Sequence, residues 1–360
     1  MTDFYPLTIS KMWREPNDML CLQLQPEPGD RNEFEFLPGQ YLTLSATIDG
    51  QRINRSYSIC SSPGEPLTVA IKNIEGGIFS SHAHERLQEG DVLRSLAPAG
   101  EFVAPCQSVG QQRLLCIAAG SGITPVLSIV QASLKTNPDC HVTLLYGNRK
   151  GTDIAFMETL CWLKNTYMER FQWINVLSQE RQMAPALHGR INNKTGAALN
   201  GTLINIEEYD DFFLCGPEGL IAEVSRGLRA LGIEESRIHY ELFFASAEDA
   251  RLAIEKHKQR ARDYGGMTTQ VTVRAGGREV SFGLDADGES ILDSAMNNGL
   301  NLPFSCKGGV CATCKAKVLS GEVDMDLNHG LSEAEVEAGY VLTCQAHPIS
   351  KSVSIDYDVT

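Results

Sequence analysis

The 360-residue chain has no run of 18 or more apolar residues, so nothing in it reads as a membrane-spanning helix. Its first residues, Met1-Thr2-Asp3-Phe4-Tyr5-Pro6, lack a basic start and an apolar core, which argues against secretion and for a cytoplasmic location. Positive charge is scarce: 31 Lys and Arg stand against 45 Asp and Glu, a net charge of −14. Non-specific nucleic-acid binding needs basic patches, so no nucleic-acid partner is expected. The deficit is uneven, because residues 267–360 hold six Lys/Arg and thirteen Asp/Glu, half of the net charge. An acidic face of that kind suits docking of a basic redox partner, since complementary potentials raise encounter rates; it serves solubility equally well. Several signatures are missing outright. There is no complete G-x-G-x-x-G, no Gly-Lys-Ser/Thr phosphate loop, and no acid–base pair or nucleophilic triad that the sequence makes evident.

Cysteine, in contrast, is plentiful, with eleven residues. A disulfide framework would suit a small secreted chain, not one of this length. Cys306, Cys311 and Cys314 are spaced C-x4-C-x2-C, and Cys344 follows 29 intervening residues later. That is the plant-type pattern for four thiolates around one [2Fe–2S] cluster. Three of the ligands must come from one loop, and Gly308, Gly309, Ala312 and Thr313 are small enough to let it wrap inward. A zinc ribbon would pair C-x2-C with a second C-x2-C, and only one such pair exists. Cys21, Cys60, Cys106, Cys116, Cys140 and Cys161 lie in apolar surroundings and read as buried, reduced thiols. A cluster moves electrons singly, so the rest of the chain should hold their source or their sink.

Residues 1–104 read as short strands broken by turn signals, the rhythm of an antiparallel barrel or sandwich. Within them, Arg55-Ser56-Tyr57-Ser58 alternates on a strand, so Arg55 and Tyr57 share one face while Ser56 and Ser58 share the other. An arginine can fork a phosphate, and a tyrosine can cover an aromatic ring. Gly76-Gly77 then precedes the helical pattern from Ser80 to Leu87; this is either a plain turn or a helix start offering N–H groups to a pyrophosphate. His82 and His84 are two apart on that helix, do not share a face, and read as solvent-exposed.

Residues 105–245 change rhythm to strands alternating with longer helical segments, which predicts parallel βαβ units. The buried run Leu114–Ala119 feeds Gly120-Ser121-Gly122-Ile123-Thr124-Pro125, where two glycines permit close approach to a phosphate. Thr124 is expected to cap the following helix and Pro125 to occupy its first position. After Val142–Tyr146 come Gly147-Asn148-Arg149-Lys150, basic where an NADH site usually places an acid, which favours NADPH over NADH. The strand Phe212–Cys215 ends in Gly216-Pro217; Cys215 is either a small wall of the ligand site or a core thiol. Residues 246–266 are charged, end in Gly265-Gly266 and read as a linker with one helical stretch; residues 267–360 carry a Gly276-Gly277 hairpin, a helix and the cysteine loop.

Together these residues resemble the ferredoxin–NADP reductase superfamily fused to a C-terminal plant-type ferredoxin, over nearly the whole chain. Arg55 to Ser58 resembles that family's flavin signature, and Gly76-Gly77-Ile78-Phe79-Ser80 its flavin-phosphate segment. Gly120 to Pro125 resembles its nucleotide loop, and Cys215-Gly216-Pro217 its nicotinamide-side motif. The runs Cys306–Lys315, Gly339–Ala346, Leu187–Ile191 and Tyr146–Arg149 are most similar to reductase components of multicomponent phenylacetyl-CoA epoxidases; reductases of Rieske-type ring hydroxylases and steroid hydroxylases share most of these features.

The resemblance implies a multidomain α/β plus β architecture: an antiparallel flavin-binding β-barrel, a Rossmann-like parallel α/β nucleotide domain and a β-grasp [2Fe–2S] ferredoxin domain. It implies that Arg55 binds the flavin phosphate, that Tyr57 packs on the isoalloxazine and that Ser58 hydrogen-bonds near N5. Cys215 would lie beside the reactive nicotinamide carbon, with Glu241 closing the site. Ser56, Val69, Ile71 and Lys72 join the flavin set, and Ser121, Asn148 and Arg149 the nucleotide set. The family holds FAD and FMN members, and the likeness favours FAD. The expected activity is NAD(P)H-dependent electron transfer through flavin and cluster to an oxygenase, the di-iron phenylacetyl-CoA epoxidase foremost. Other acceptors such as a hybrid-cluster protein or cytochrome, and a non-catalytic iron–sulfur carrier, are the alternatives.

Overall fold

The structure, a computed structural model, describes residues 4–48, 50–104, 110–242, 247–304, 308–309, 312–328 and 330–359. The chain divides into two compact units, one of Phe4–Ile48 with Arg55–Phe243, the other of Met1–Asp3, Asp49–Asn54 and Phe244–Thr360.

The first unit starts with β1 (Tyr5–Glu15), β2 (Met19–Pro26), β3 (Tyr41–Ile48), residues 55–58 of β4 (Gln51–Ser58), β5 (Thr68–Lys72), α1 (Ile78–Arg86) and β6 (Val92–Ser95). These strands form a six-stranded sheet in the order β4-β3-β6-β1-β2-β5. An antiparallel bridge from Ile59 to Val69 joins its two edges and closes the barrel.

A parallel sheet follows, built from β7 (Gln112–Ala119), α2 (Ile123–Thr136), β8 (Cys140–Asn148), α3 (Met157–Thr166) and β9 (Phe171–Leu177). It continues through α4 (Asn193–Leu199), β10 (Asp211–Gly216), α5 (Glu218–Ala230) and β11 (Ile238–Leu242), with strand order β11-β10-β7-β8-β9. Strands buried on both faces need unbroken apolar runs, and Leu114, Leu115, Cys116 and Ile117 supply one.

Barrel and parallel sheet share one core. Met19, Cys21, Cys60 and Ala70 pack in the same apolar cluster as Ile123, Ile129, Leu144 and Cys215. Polar clasps reinforce the seam: Ser128 Oγ donates to the Ser61 carbonyl at 2.6 Å, and Gln131 Nε2 to the Cys60 carbonyl at 3.0 Å.

The second unit begins with α6 (Ala247–Tyr264), an 18-residue helix where the sequence reads as a linker. Its Arg260 side chain is 3 % exposed and ion-pairs with Asp324 at 2.8 Å and Asp326 at 2.5 Å. The charged composition that suggests a tether therefore belongs in part to a buried polar contact.

After it come β12 (Thr268–Ala275), β13 (Arg278–Asp285), α7 (Ile291–Asn297), β14 (Lys315–Ser320), β15 (Val323–Met325), α8 (Glu333–Glu337), β16 (Tyr340–Leu342), β17 (Ala346–Pro348) and β18 (Ser352–Asp356). The main sheet runs β13-β12-β18-β14-β16, with β12 and β18 parallel and the other pairs antiparallel, and α7 buries Ile291, Leu292, Ala295 and Met296: a β-grasp.

Candidate active site

Register across the parallel sheet decides what meets at its carboxyl edge. Glu241 on β11 lies opposite Cys215 on β10, Cys215 opposite Ala118 on β7, and Ala118 opposite Tyr146 on β8. Ser58, the last residue of β4, reaches the end of this row from the barrel and donates its hydroxyl to Glu241 Oε2 at 3.3 Å. The three residues that the resemblance places around flavin N5 and the nicotinamide are thus brought together, all buried: Ser58 at 2 %, Cys215 at 0 % and Glu241 at 9 % exposure. Burial pushes the Cys215 thiol well above its ordinary value, and the nearby Glu241 charge raises it further. A shift in that direction favours the neutral thiol over the nucleophilic thiolate.

The nucleotide loop presses on the same point. Gly120–Gly122 form one 3₁₀ turn, and a Cβ built on Gly122 would stand 2.3 Å from the Cys215 carbonyl oxygen. Only glycine lets the two backbones pass there. The Tyr146 side chain is fully buried, and its hydroxyl donates to the Gly120 carbonyl at 3.1 Å, fixing the start of the loop. One expectation is corrected here. The helix begins at Ile123, Thr124 Oγ1 donates back to the Ser121 carbonyl at 3.1 Å, and Pro125 is the third helical residue. A proline costs nothing at that position, because the first N–H groups of a helix have no partner within it.

Asn148, at the carboxyl end of β8, is buried; its carboxamide approaches the Tyr146 hydroxyl without a hydrogen bond of ordinary geometry. Such an orphaned amide at the mouth of a parallel sheet fits a nucleotide. Arg149 is engaged by Asp153 at 3.1 Å and by Asn17 Oδ1 at 3.4 Å. Lys72, expected with the flavin set, lies within electrostatic reach of Arg149: burial lowers its ammonium, the Arg149 charge lowers it further, and Asp18 and Asp153 oppose the shift.

On the barrel, Ser56 Oγ meets Thr43 Oγ1 at 3.2 Å, Arg55 is exposed, and the Tyr57 ring lies 5.6 Å from that of Phe79. Val69 and Ile71 are fully buried in the barrel wall. Gly77 stands at the N-cap of α1 with no side-chain cap, so the helix's first N–H groups face outward beside Ile78. Ser80 turns back instead, its Oγ accepting from the Ile74 N–H at 3.2 Å. His84 is half-buried and not solvent-exposed as the sequence suggests: its ring contacts the Ile71 carbonyl at 2.9 Å and Arg14 at 3.0 Å.

In the second unit, Cys314 and Cys344 are buried; Cys306 and Cys311 lie outside the described residues. Ahead of Cys314 the backbone is left-handed at Gly309 (φ 77°) and Ala312 (φ 55°), and a Cβ on Gly309 would meet the Leu327 carbonyl oxygen at 2.9 Å. Two sequestered sulfurs beside a tightly turned loop fit a thiolate-ligated cluster. Elsewhere Cys21, Cys60, Cys116 and Cys140 are buried as expected, Cys161 is exposed, and Cys106 lies outside the described residues.

Three family profiles match the chain in order: an oxidoreductase FAD-binding domain at residues 8–103, an oxidoreductase NAD-binding domain at 116–226, and a 2Fe-2S iron-sulfur cluster binding domain at 273–348. The chain is 41 % identical to a component of the 1,2-phenylacetyl-CoA epoxidase of Escherichia coli, over 99 % of each. It belongs to the flavin and [2Fe–2S] reductase family.

This reductase is also 32 % identical to the ferredoxin reductase component of 3-ketosteroid-9-alpha-monooxygenase from Mycolicibacterium smegmatis, over 98 % of this chain and 96 % of that one. Its fold matches phthalate dioxygenase reductase, with a TM-score of 0.63, 22 % identity and 98 % of each chain covered. It is an NAD(P)H-dependent oxidoreductase with FAD-binding, NAD-binding and [2Fe–2S] domains. Sequence reading missed Glu15. Its carboxylate accepts from Trp13 Nε1 at 3.1 Å and from the Phe156 N–H at 2.8 Å, pinning the β1–β2 hairpin of the reductase to the start of α3. Asn17, also missed, sits at that hairpin's tip beside Gly120 and Arg149; its positive φ of 64° is the feature a Pro-Asn-Asp turn could have signalled.

Proposed function

We propose that the protein passes electrons from NADPH, through FAD and one [2Fe–2S] cluster, to a di-iron phenylacetyl-CoA epoxidase in the cytoplasm. The observation that supports it most is the convergence of Ser58, Cys215 and Glu241 at the carboxyl edge of the parallel sheet, with Ser58 bonded to Glu241 at 3.3 Å. The partner reading rests on the 41 % likeness to the epoxidase component. The working boundaries are 1–104 for the flavin domain, 105–245 for the nucleotide domain, 246–266 for the connection and 267–360 for the ferredoxin domain.

When bound together, a flavin accepts hydride as an electron pair and an iron–sulfur cluster releases electrons singly. The chain's residues supply position and environment. Glu241 orients the Ser58 hydroxyl at the edge of the site, and burial, with the Glu241 charge adding to it, raises the Cys215 thiol. Gly120 and Gly122 bring backbone close to the coenzyme diphosphate, while Asn148, Arg149 and Lys72 offer donors for its phosphates. Arg55, Ser56, Tyr57 and the Gly76–Ser80 segment hold the flavin. Cys306, Cys311, Cys314 and Cys344 hold the cluster, and the acidic face of residues 267–360 docks the acceptor.

Anaerobic stopped-flow with NADPH and NADH, followed by reconstitution with the epoxidase, tests the reading. Flavin bleaching faster with NADPH, and turnover of phenylacetyl-CoA only when this chain is present, are the expected results. In the same assay Cys306→Ser keeps flavin bleaching and abolishes transfer to a one-electron protein acceptor. Turnover with a Rieske-type or steroid oxygenase and none with the epoxidase would transfer the assignment to that class, which the 32 % identity to the ketosteroid component favours next.

A further inference from the structure

The last described residues of the chain are tied down one after another. Asp356 pairs with Arg274 at 3.8 Å, and the Asp358 carboxylate accepts from the Gly276 and Gly277 N–H groups at 2.7 and 3.0 Å. Between them, Tyr357 is fixed by its own N–H, which donates to the Arg274 carbonyl at 2.9 Å. Its ring turns inward, and its hydroxyl meets Thr343 Oγ1 at 2.5 Å.

The direction of that bond follows from proton counting. A threonine hydroxyl has one proton, and Thr343 gives it to the Cys314 carbonyl at 3.0 Å. Tyr357 must therefore be the donor. Thr343 also gives its backbone N–H to the same carbonyl at 3.2 Å, and its own carbonyl accepts from the Leu292 N–H at 3.1 Å. Every polar group of this fully buried residue is thus in use. The Cys314 carbonyl receives two bonds from the residue immediately before Cys344, so the third and fourth cysteines, 29 intervening residues apart, are clasped together by Thr343. The tyrosine proton locks the clasp.

We infer that Tyr357 is a positioning residue for the cluster, acting through Thr343 to set the Cys314–Cys344 pair. The inference rests on the reading of the four cysteines as cluster ligands, and its test separates the two.

The full-length holoprotein and its Tyr357→Phe, Thr343→Ser and Asp358→Asn variants are compared by visible circular dichroism, electron paramagnetic resonance of the reduced cluster, and the rate of iron release to a chelator. Losing one buried hydrogen bond should speed iron release in Tyr357→Phe by roughly fivefold and shift the cluster spectra. Thr343→Ser, which keeps the hydroxyl, should behave as the parent. Asp358→Asn, which loosens the neighbouring tie without touching the clasp, should leave spectra and release unchanged. Parental spectra and release in Tyr357→Phe would overturn the inference. So would equal effects from Asp358→Asn, which would mean general loosening of the tail. A parent that takes up no iron would overturn the ligand reading instead.

Discussion

Replacing Arg260 by methionine removes the cation at the centre of the contact between α6 and the rest of the second unit. The side chain is 3 % exposed, and its loss leaves Asp326 with His347 at 3.2 Å and Asp324 with Lys256 at 3.4 Å as their remaining ion-pair partners. It also vacates the Ala286 carbonyl, to which Arg260 Nε donates at 3.3 Å. Breaking a buried pair by deleting one partner costs about 3–5 kcal/mol. Asp324 is 31 % exposed and keeps Lys256, so the lower end, about 3 kcal/mol, applies. At about 4 °C per kcal/mol for a domain of this size, the melting transition of the second unit should fall by roughly 12 °C. The transition of the first unit, followed separately by calorimetry, should not move. Adding Asp324→Asn and Asp326→Asn to Arg260→Met removes the stranded charges and should recover stability to within about 1 kcal/mol of the parent. A single variant within about 1 kcal/mol of the parent, or a triple variant no better than the single, would refute the electrostatic account of how α6 is held.

Three other outcomes follow from the same structure. Gly122→Ala drives a methyl into the Cys215 carbonyl, and the displaced loop should lower the rate of flavin reduction by about 10²-fold and lower the melting temperature of the first unit as well. Tyr146→Phe frees the Gly120 carbonyl and should raise KM for the nicotinamide coenzyme about fivefold, with kcat nearly kept; a change in kcat alone would argue against loop positioning. Acid should weaken the second unit in two stages. Burial, then Arg260 and His347, lower the His257 imidazole, against the pull of Asp326 and Asp287. Burial works to raise the Asp326 carboxyl, but His347 and Arg260 outweigh it and hold it below its usual range. Both groups bind protons less readily folded than unfolded, so each contributes stability above its unfolded value, lost as pH falls toward the lower folded one. Thermal melts should be flat above about pH 7 and decline first below about 6.5 and again below about 3.9; stability that rises on acidification would contradict these shifts.

Much of the site was legible because its signals are local. The Arg55–Ser58 alternation predicts a strand, and the strand delivers Ser58 to Glu241. The two glycines before α2 predict close approach to a phosphate, while the close approach seen at Gly122 is to the Cys215 backbone. What sequence could not show depends on contacts distant along the chain. Thr124 looks like a cap until the 3₁₀ turn before it sets the helix start at Ile123. Residues 247–264 look like a tether because charged composition does not reveal that Arg260 has two aspartates waiting more than 60 residues away. Cys161 sits in an apolar-looking run but on the outer face of α3, where its helical neighbours Leu160 and Leu163 take the buried positions. Glu15 carries no motif at all; only the fold reveals that its carboxylate meets the Phe156 amide.

The shared interior of barrel and parallel sheet bears on how this chain can be recombined with relatives. Cutting near residue 104 would strip Met19, Cys21, Cys60 and Ala70 of the side chains that cover them, and each fragment would present a sticky apolar face. Chimeras that exchange the electron-accepting front end should therefore move it as one cassette, both halves together, whereas exchanging either half alone invites insoluble product.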